Sequence, residues 1–315
     1  MTRMARFLAV LAVAVTVLSG CSGVTERDDT SPIVIAGGGV SGVYYRYGQQ
    51  LATVLRGPLR TEVAVAETAG SVDNLRRIAA GDAMLGFTQS DAVADAVRGV
   101  GAFAEPLPIQ ALARLYDEYV HVIVRRDSGI SDVAELSGRT VSLGAPGSGV
   151  TVAAHRILAA SGVDDVIDRE LDLAASIDAL ENRQIDGFFW VGGVPTPAVS
   201  DLAETTPLRL VSVSTAALER INAEHPGVYR FGEFPVSAYG WAEPAESLVV
   251  PNYLVTAEGT SPELVRTVLE ALFDSRTRLA QTVPAAALLD RRSAVFTDSI
   301  ALHPGAEAYY RDTKQ

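Results

Sequence analysis

Residues 33–55, IVIAGGGVSGVYYRYGQQLATVL, constrain the fold more than any other stretch of the chain. Ile33, Val34 and Ile35 form a β-branched run with no polar break, which is the pattern of a buried strand. Gly37, Gly38, Gly39 and Gly42 then let the backbone turn tightly and come close to a ligand. Val43, Tyr47, Leu51, Val54 and Leu55 recur at helical spacing. A strand that feeds a helix through a glycine loop is an α/β unit. The start of that helix points unpaired N–H groups and a partial positive charge outward, which suits an anion.

With 315 residues, the chain has room for two such α/β lobes. Its 48% hydrophobic and 7% aromatic content fits an Ala/Val/Leu-rich α/β protein better than a β-sandwich. The net charge of −12 counts against nucleic acid or an anionic membrane surface as the main partner. It leaves an anionic small ligand open, because a few backbone N–H groups act at close range. The lone cysteine, Cys21, allows neither an intrachain disulfide nor a cysteine metal site. Residues 1–20 carry Arg3 and Arg6, an apolar run over 7–18 and then Leu18-Ser19-Gly20-Cys21, the pattern of a secretory signal peptide ending in a bacterial lipobox. The apolar run is short for a membrane span. Cleavage before Cys21 and lipid attachment to its sulfur are expected, with residues 21–32 as a tether. The mature charge then becomes −14, because the signal holds two arginines and no acid.

Residues 61–67 alternate like a strand, and Ser71 is placed to cap a helix over 72–80 that Gly81 ends. Residues 84–88 read as a strand and 91–97 as a helix. Two strands, 109–115 and 120–124, are expected on either side of Tyr116-Asp117-Glu118-Tyr119, whose acidic pair reads as a solvated turn. The pattern then restarts with a strand over 140–143, the loop Ala145-Pro146-Gly147-Ser148-Gly149 and a helix over 150–161. A helix over 176–182, a strand over 187–191, a strand over 208–213 and a helix over 216–223 follow. Residues 228–241 read as a loop, 248–256 as a strand, and Ser261-Pro262 as the start of a helix. Ser41-Gly42-Val43 recurs 107 residues later as Ser148-Gly149-Val150, and Ser71-Val72-Asp73 recurs 105 residues later as Ser176-Ile177-Asp178. Two ordered echoes at nearly one offset suggest two similar lobes. The expected architecture is an α/β clamshell with two hinge crossings. Residues 33–123 with 250–315 form one lobe and 124–249 the other, with a ligand cleft between them.

Gly37-x-Gly39-x-x-Gly42 formally matches a dinucleotide fingerprint, with Glu67 where a ribose-binding acid would sit. An exported chain, the bulk of Tyr44 and Tyr45 at the first helical turn, and a second Gly-Ser-Gly loop count against it. Under the carboxylate-binding reading, the N–H groups of residues 41–43 and 148–150 each hold one anionic group, with the Ser41 and Ser148 hydroxyls adding a bond. The plainer alternative is that both loops are tight turns with helix caps. The candidate ligand-binding residues are Gly39, Ser41, Gly42, Tyr44, Tyr45, Ser71, Gln89, Ser90, Ser148, Gly149, Val150, Trp190, Gly192 and Gly193. Core packing is the alternative for at least one tyrosine and for Trp190. His121, His155, His225 and His303 lack metal-ligand spacing, and no nucleophile elbow or Walker loop is present. No cofactor, metal or catalytic group is expected.

AGGGVSGVYY at 36–45, TAGSVDNL at 68–75, LGFTQSD at 85–91, APGSGV at 145–150, FFWVGGVP at 188–195 and HPGAEAYY at 303–310 resemble, in order, the TAXI family of TRAP-transporter solute receptors. Arg46 follows the tyrosine pair where that family often has proline. The resemblance implies a type II-like periplasmic-binding fold and a cleft ligand such as glutamate or 2-oxoglutarate. It also implies delivery to an ion-driven TRAP permease. The expected protein is therefore a monomeric, lipid-anchored extracytoplasmic receptor. A receptor for a membrane signalling kinase and an exported enzyme are the alternatives.

Overall fold

The computed structural model describes residues 32–313 except 242 and 299. The expected signal peptide, Cys21 and nearly all of the tether lie outside the described residues. The chain begins with β1 (Ile33–Ala36), α1 (Val43–Leu59), β2 (Val63–Ala66), α2 (Ser71–Ala80), β3 (Leu85–Gln89), α3 (Ser90–Arg98) and the long β4 (Ile109–Arg125). It continues through β5 (Thr140–Ser142), α4 (Gly149–Ala160), β6 (Ile167–Asp168), α5 (Leu173–Glu181), β7 (Gly187–Gly192), α6 (Pro197–Thr205), β8 (Leu208–Leu210) and α7 (Thr215–Glu224). It ends with β9 (Arg230–Glu233), β10 (Glu246–Ala257), α8 (Pro262–Asp274), α9 (Arg276–Ala280) and α10 (Pro304–Asp312).

One mixed ten-stranded sheet runs β2-β1-β3-β10-β4-β7-β5-β6, with β8 added to β4 and β9 to β10. Parallel strands lie towards both ends and the antiparallel pair β4/β10 holds the middle. These two strands pass from one hydrophobic core to another. Leu112, Leu115 and Tyr116 of β4 pack with α1 and α8 residues, whereas Val120, Val122 and Val124 pack with α4 and α7 residues. Likewise Leu248 and Val250 of β10 belong to the second core and Leu254 to the first. The α/β architecture with two strand crossings is thus present, and it puts helices of both cores around one central gap.

Some expectations are corrected. β4 is a single 17-residue strand, not two strands around an acidic turn. Asp117 is held by Arg114 and by Arg230 at 2.5 Å each, so its charge does not force the backbone out of the sheet. Glu118, expected in solvent, is 1% exposed. Within residues 228–241, read as a loop, β9 pairs antiparallel with β10. Pro251 lies in β10 between the end of pairing with β9 and the start of pairing with β3, and a register shift follows between Asn252 and Tyr253. Proline is tolerated in a sheet at such an irregularity.

Ser71 does not cap α2; Gly70, at φ +124°, takes the cap position, and Ser71 Oγ accepts from the Gln89 N–H instead. By contrast Ser148 caps α4 by accepting from the Thr151 N–H, and Ser261 caps α8 ahead of Pro262. The echo at 41 and 148 marks two helix starts. That at 71 and 176 does not, because Ser176 stands one turn inside α5.

Candidate functional site

The turn after β1 is held from both sides. Gly38 has φ +69° and its N–H donates to Thr68 Oγ1 at 2.8 Å; Thr68 in turn donates to Asn74 Oδ1 at 2.5 Å. The Gly42 N–H bonds Gly39 O at 2.9 Å, and α1 then starts with no side-chain cap. α2 also starts uncapped. Across the gap, α4 and α5 start at Ser148 and Asp172, each of which accepts a hydrogen bond from its own first turn. The starts of these four helices, together with Gln89, the cap residue of α3, surround a cavity of about 210 Å³. That is below the roughly 300–1,000 Å³ of drug-sized sites and too small for a dinucleotide. Converging helix N-termini supply partial positive charge and free N–H groups.

Contacts cross the gap at its lip. The Asp73 N–H donates to Gly147 O at 3.0 Å. A Cβ on Gly149 would lie 2.4 Å from Gln89 Oε1 and 2.8 Å from Ser71 Oγ, and one on Gly42 would lie 3.4 Å from the Trp190 ring. The cleft is closed, and glycine is what allows the close approach at 149.

The floor of the cavity is Glu118. Tyr44 donates to its Oε2 at 3.2 Å and Tyr116 to its Oε1 at 3.1 Å, while the side chains of Asn252 and Gln89 also hydrogen-bond it. Burial pushes the Glu118 carboxyl up to about 8, against these hydrogen bonds, which pull it down. Asn252 also donates to the Tyr44 hydroxyl at 2.6 Å, and Tyr44 stacks on Phe87 at 5.4 Å. Burial raises the Tyr44 phenol, with the Glu118 charge adding to the effect. No lysine, arginine or histidine lines the cavity among the described residues. Nor does any group of three or more metal-ligating side chains occur among them.

Of the sequence candidates, Gly39, Ser41, Gly42, Tyr44, Ser71, Gln89, Ser148, Gly149, Val150 and Trp190 line this cavity. The other four lie elsewhere. The Tyr45 ring stands by Gly37, and Ser90 Oγ donates to Val228 O at 3.1 Å. Gly192 makes room for the Trp190 indole, whose Nε1 would be 2.6 Å from a Cβ there. Gly193 borders a smaller neighbouring cavity beside Val43 and Ala285. The Ser148 hydroxyl is occupied as a cap, accepting from Thr151 N–H at 3.2 Å and contacting Thr151 Oγ1 at 3.0 Å. Glu118 was missed. Carrying the period-two alternation across 115–120 puts it on the same face as Tyr116 and Val120, and all three are buried. Glu67 and Asp172, exposed at the mouth, also line the cavity.

Solved structures share this arrangement of strands and helices. MatC from Rhodopseudomonas palustris, solved with malate, superimposes at a TM-score of 0.58 with 12% identity, covering 90% of this chain and 98% of MatC. A periplasmic transporter matches at 0.54 with 15% identity over 89% and 92% of the two chains. A Xanthomonas citri protein bound to ATP matches at 0.53 with 13% identity over 91% and 100%. The fold is that of the type II-like periplasmic binding proteins. Residues 35–313 match the NMT1-like family, and the chain belongs to that family.

Proposed function

We propose that this protein is an extracytoplasmic solute receptor that binds a small carboxylate between its two lobes and performs no covalent chemistry. One observation carries the reading: helices from both cores start at one cavity, so a single anion can touch N–H groups of both. Residues 33–123 with 250–315 act as one lobe and 124–249 as the other, except that Val120, Val122 and Val250 already pack in the second core, so the hinge lies a few residues inside those bounds on β4 and β10. A ligand that contacts the starts of α1 and α4 together does so only in the closed form, so binding shifts the population towards closure. Ser41, Gly42, Tyr44, Gln89, Ser148, Gly149 and Val150 are the residues proposed to form the site.

The closed form is what a membrane permease would recognise. The motif run from residue 36 to residue 310 supports a TAXI-type receptor serving a TRAP permease, anchored through lipid on Cys21. MatC, a structural relative, is recorded with malate, a small carboxylate. A thermal-shift panel of dicarboxylates, keto acids and amino acids tests the proposal. A saturable rise in Tm with at least one of them is expected, because a ligand that binds only the folded state stabilises it. A flat response across the panel would overturn the carboxylate reading.

A further inference from the structure

The helix starts account for a carboxylate but leave the floor of the cavity unexplained. Glu118 is 1% exposed, and the donors that reach it are the neutral side chains of Tyr44, Tyr116, Asn252 and Gln89. Neutral donors solvate a carboxylate without cancelling its charge, and a buried charge calls for an opposite one. The cavity lining offers none among the described residues. Gln89 adds a second, independent sign. It is 3% exposed and lines the cavity, its side chain hydrogen-bonds Glu118, and its Oε1 has no partner among the described residues. Buried side-chain oxygens nearly always find a donor. Here a buried carboxyl with no counter-charge and an unpaired amide oxygen share a wall of the same cavity, and a cation placed there is what would draw the proton off Glu118.

We infer that the solute carries a protonated amine beside its carboxylate, so that the site takes an amino acid in preference to a dicarboxylate or keto acid, with Glu118 and Gln89 Oε1 receiving the ammonium. An ammonium brings three donors and the missing positive charge. A second carboxylate would bring only more acceptors to a wall that already has too many. The uncapped starts of α1 and α2 and the glycine loop before α4 then hold the carboxylate end. The inference rests on the receptor reading and narrows it. The competing chemistry for the same residues is a protonated Glu118 that donates to a carboxylate. The two differ in what a glutamine at 118 does, because an amide mimics the neutral acid and not the anion.

The test is calorimetry on the full chain with matched pairs that differ only at the amine, L-glutamate against 2-oxoglutarate and L-alanine against pyruvate, repeated on Glu118→Gln. In the wild type, the amine-bearing member of at least one pair is expected to bind tenfold or more tighter than its partner. In Glu118→Gln, that member is expected to weaken by about 30-fold or more, the scale for removing one half of a buried charge pair, and by more than the keto acid does, so that the wild-type preference collapses. Tighter binding of the keto acid in the wild type would overturn the inference and leave the receptor reading standing. So would a preference that survives Glu118→Gln. Absence of binding by every member would overturn both. The wild-type ratio needs no variant, so it decides even if Glu118→Gln folds poorly.

Discussion

Glu118 sets a pH dependence that can be measured on the ligand-stripped protein. Its carboxyl is pushed from an ordinary 4.5 to about 8, first by burial. Between those values the folded state keeps a proton that the unfolded state has lost, so stability falls as pH rises and the loss is complete above about 8. At about 1.4 kcal/mol per pH unit, the full span is worth roughly 5 kcal/mol. His121 works in the opposite direction: burial lowers it from 6.5 to about 4, so its contribution grows as pH rises towards 6.5 and is constant above. The clean window is therefore pH 6.5 to 8.5. There the wild type is expected to lose roughly 2 kcal/mol relative to Glu118→Gln. Asp91, also raised by burial, is common to both proteins and cancels in the comparison. Urea unfolding of both at pH 6.5, 7.5 and 8.5 reads the difference. Parallel stability curves across the window would refute the claim that a buried, uncompensated carboxyl forms the cavity floor.

Other expectations follow from single side chains. Gly149→Ala places a methyl 2.4 Å from Gln89 Oε1 in the closed form, so ligand affinity should fall tenfold or more by calorimetry. Its global stability should change by less than about 1 kcal/mol in urea. Arg156→Met strips the counter-charge from Asp95 at 2.6 Å and from fully buried Asp91 at 3.7 Å. It should cost about 3–5 kcal/mol, read as a lower denaturant midpoint. Tyr44→Phe removes a donor to Glu118 and the acceptor for Asn252, with an expected loss of about 1–3 kcal/mol and weaker ligand binding.

The sequence shows the strand–glycine loop–helix at 33–55 because its signals are local: β-branching, glycine and helical spacing. The Ser148 cap and the Ser261-Pro262 start are legible for the same reason. What escapes notice depends on partners distant in sequence. Asp117 stays in a strand because Arg230, 113 residues on, neutralises it. Glu118 stays buried because Tyr44 and Asn252, from α1 and β10, reach it. β9 is short and largely polar, and β10 supplies its pairing. Ser71 has the residue type of a cap, yet the chain uses its hydroxyl to hold Gln89 at the cavity wall. The position of the cavity was readable from the glycine loops. The polarity of its floor was not, because an isolated acidic pair reads as solvated until the strand that buries it is known.

Native mass spectrometry of the protein, purified without unfolding and then denatured to release what it holds, tests the central claim most directly. The account predicts one small molecule per chain that carries a carboxylate, its retention lost in Gly149→Ala and restored to the wild type by adding the same compound back. Wild-type protein that retains nothing, and takes up none of the carboxylates or amino acids offered to it, would contradict the claim that the cavity between the two lobes is a carboxylate site.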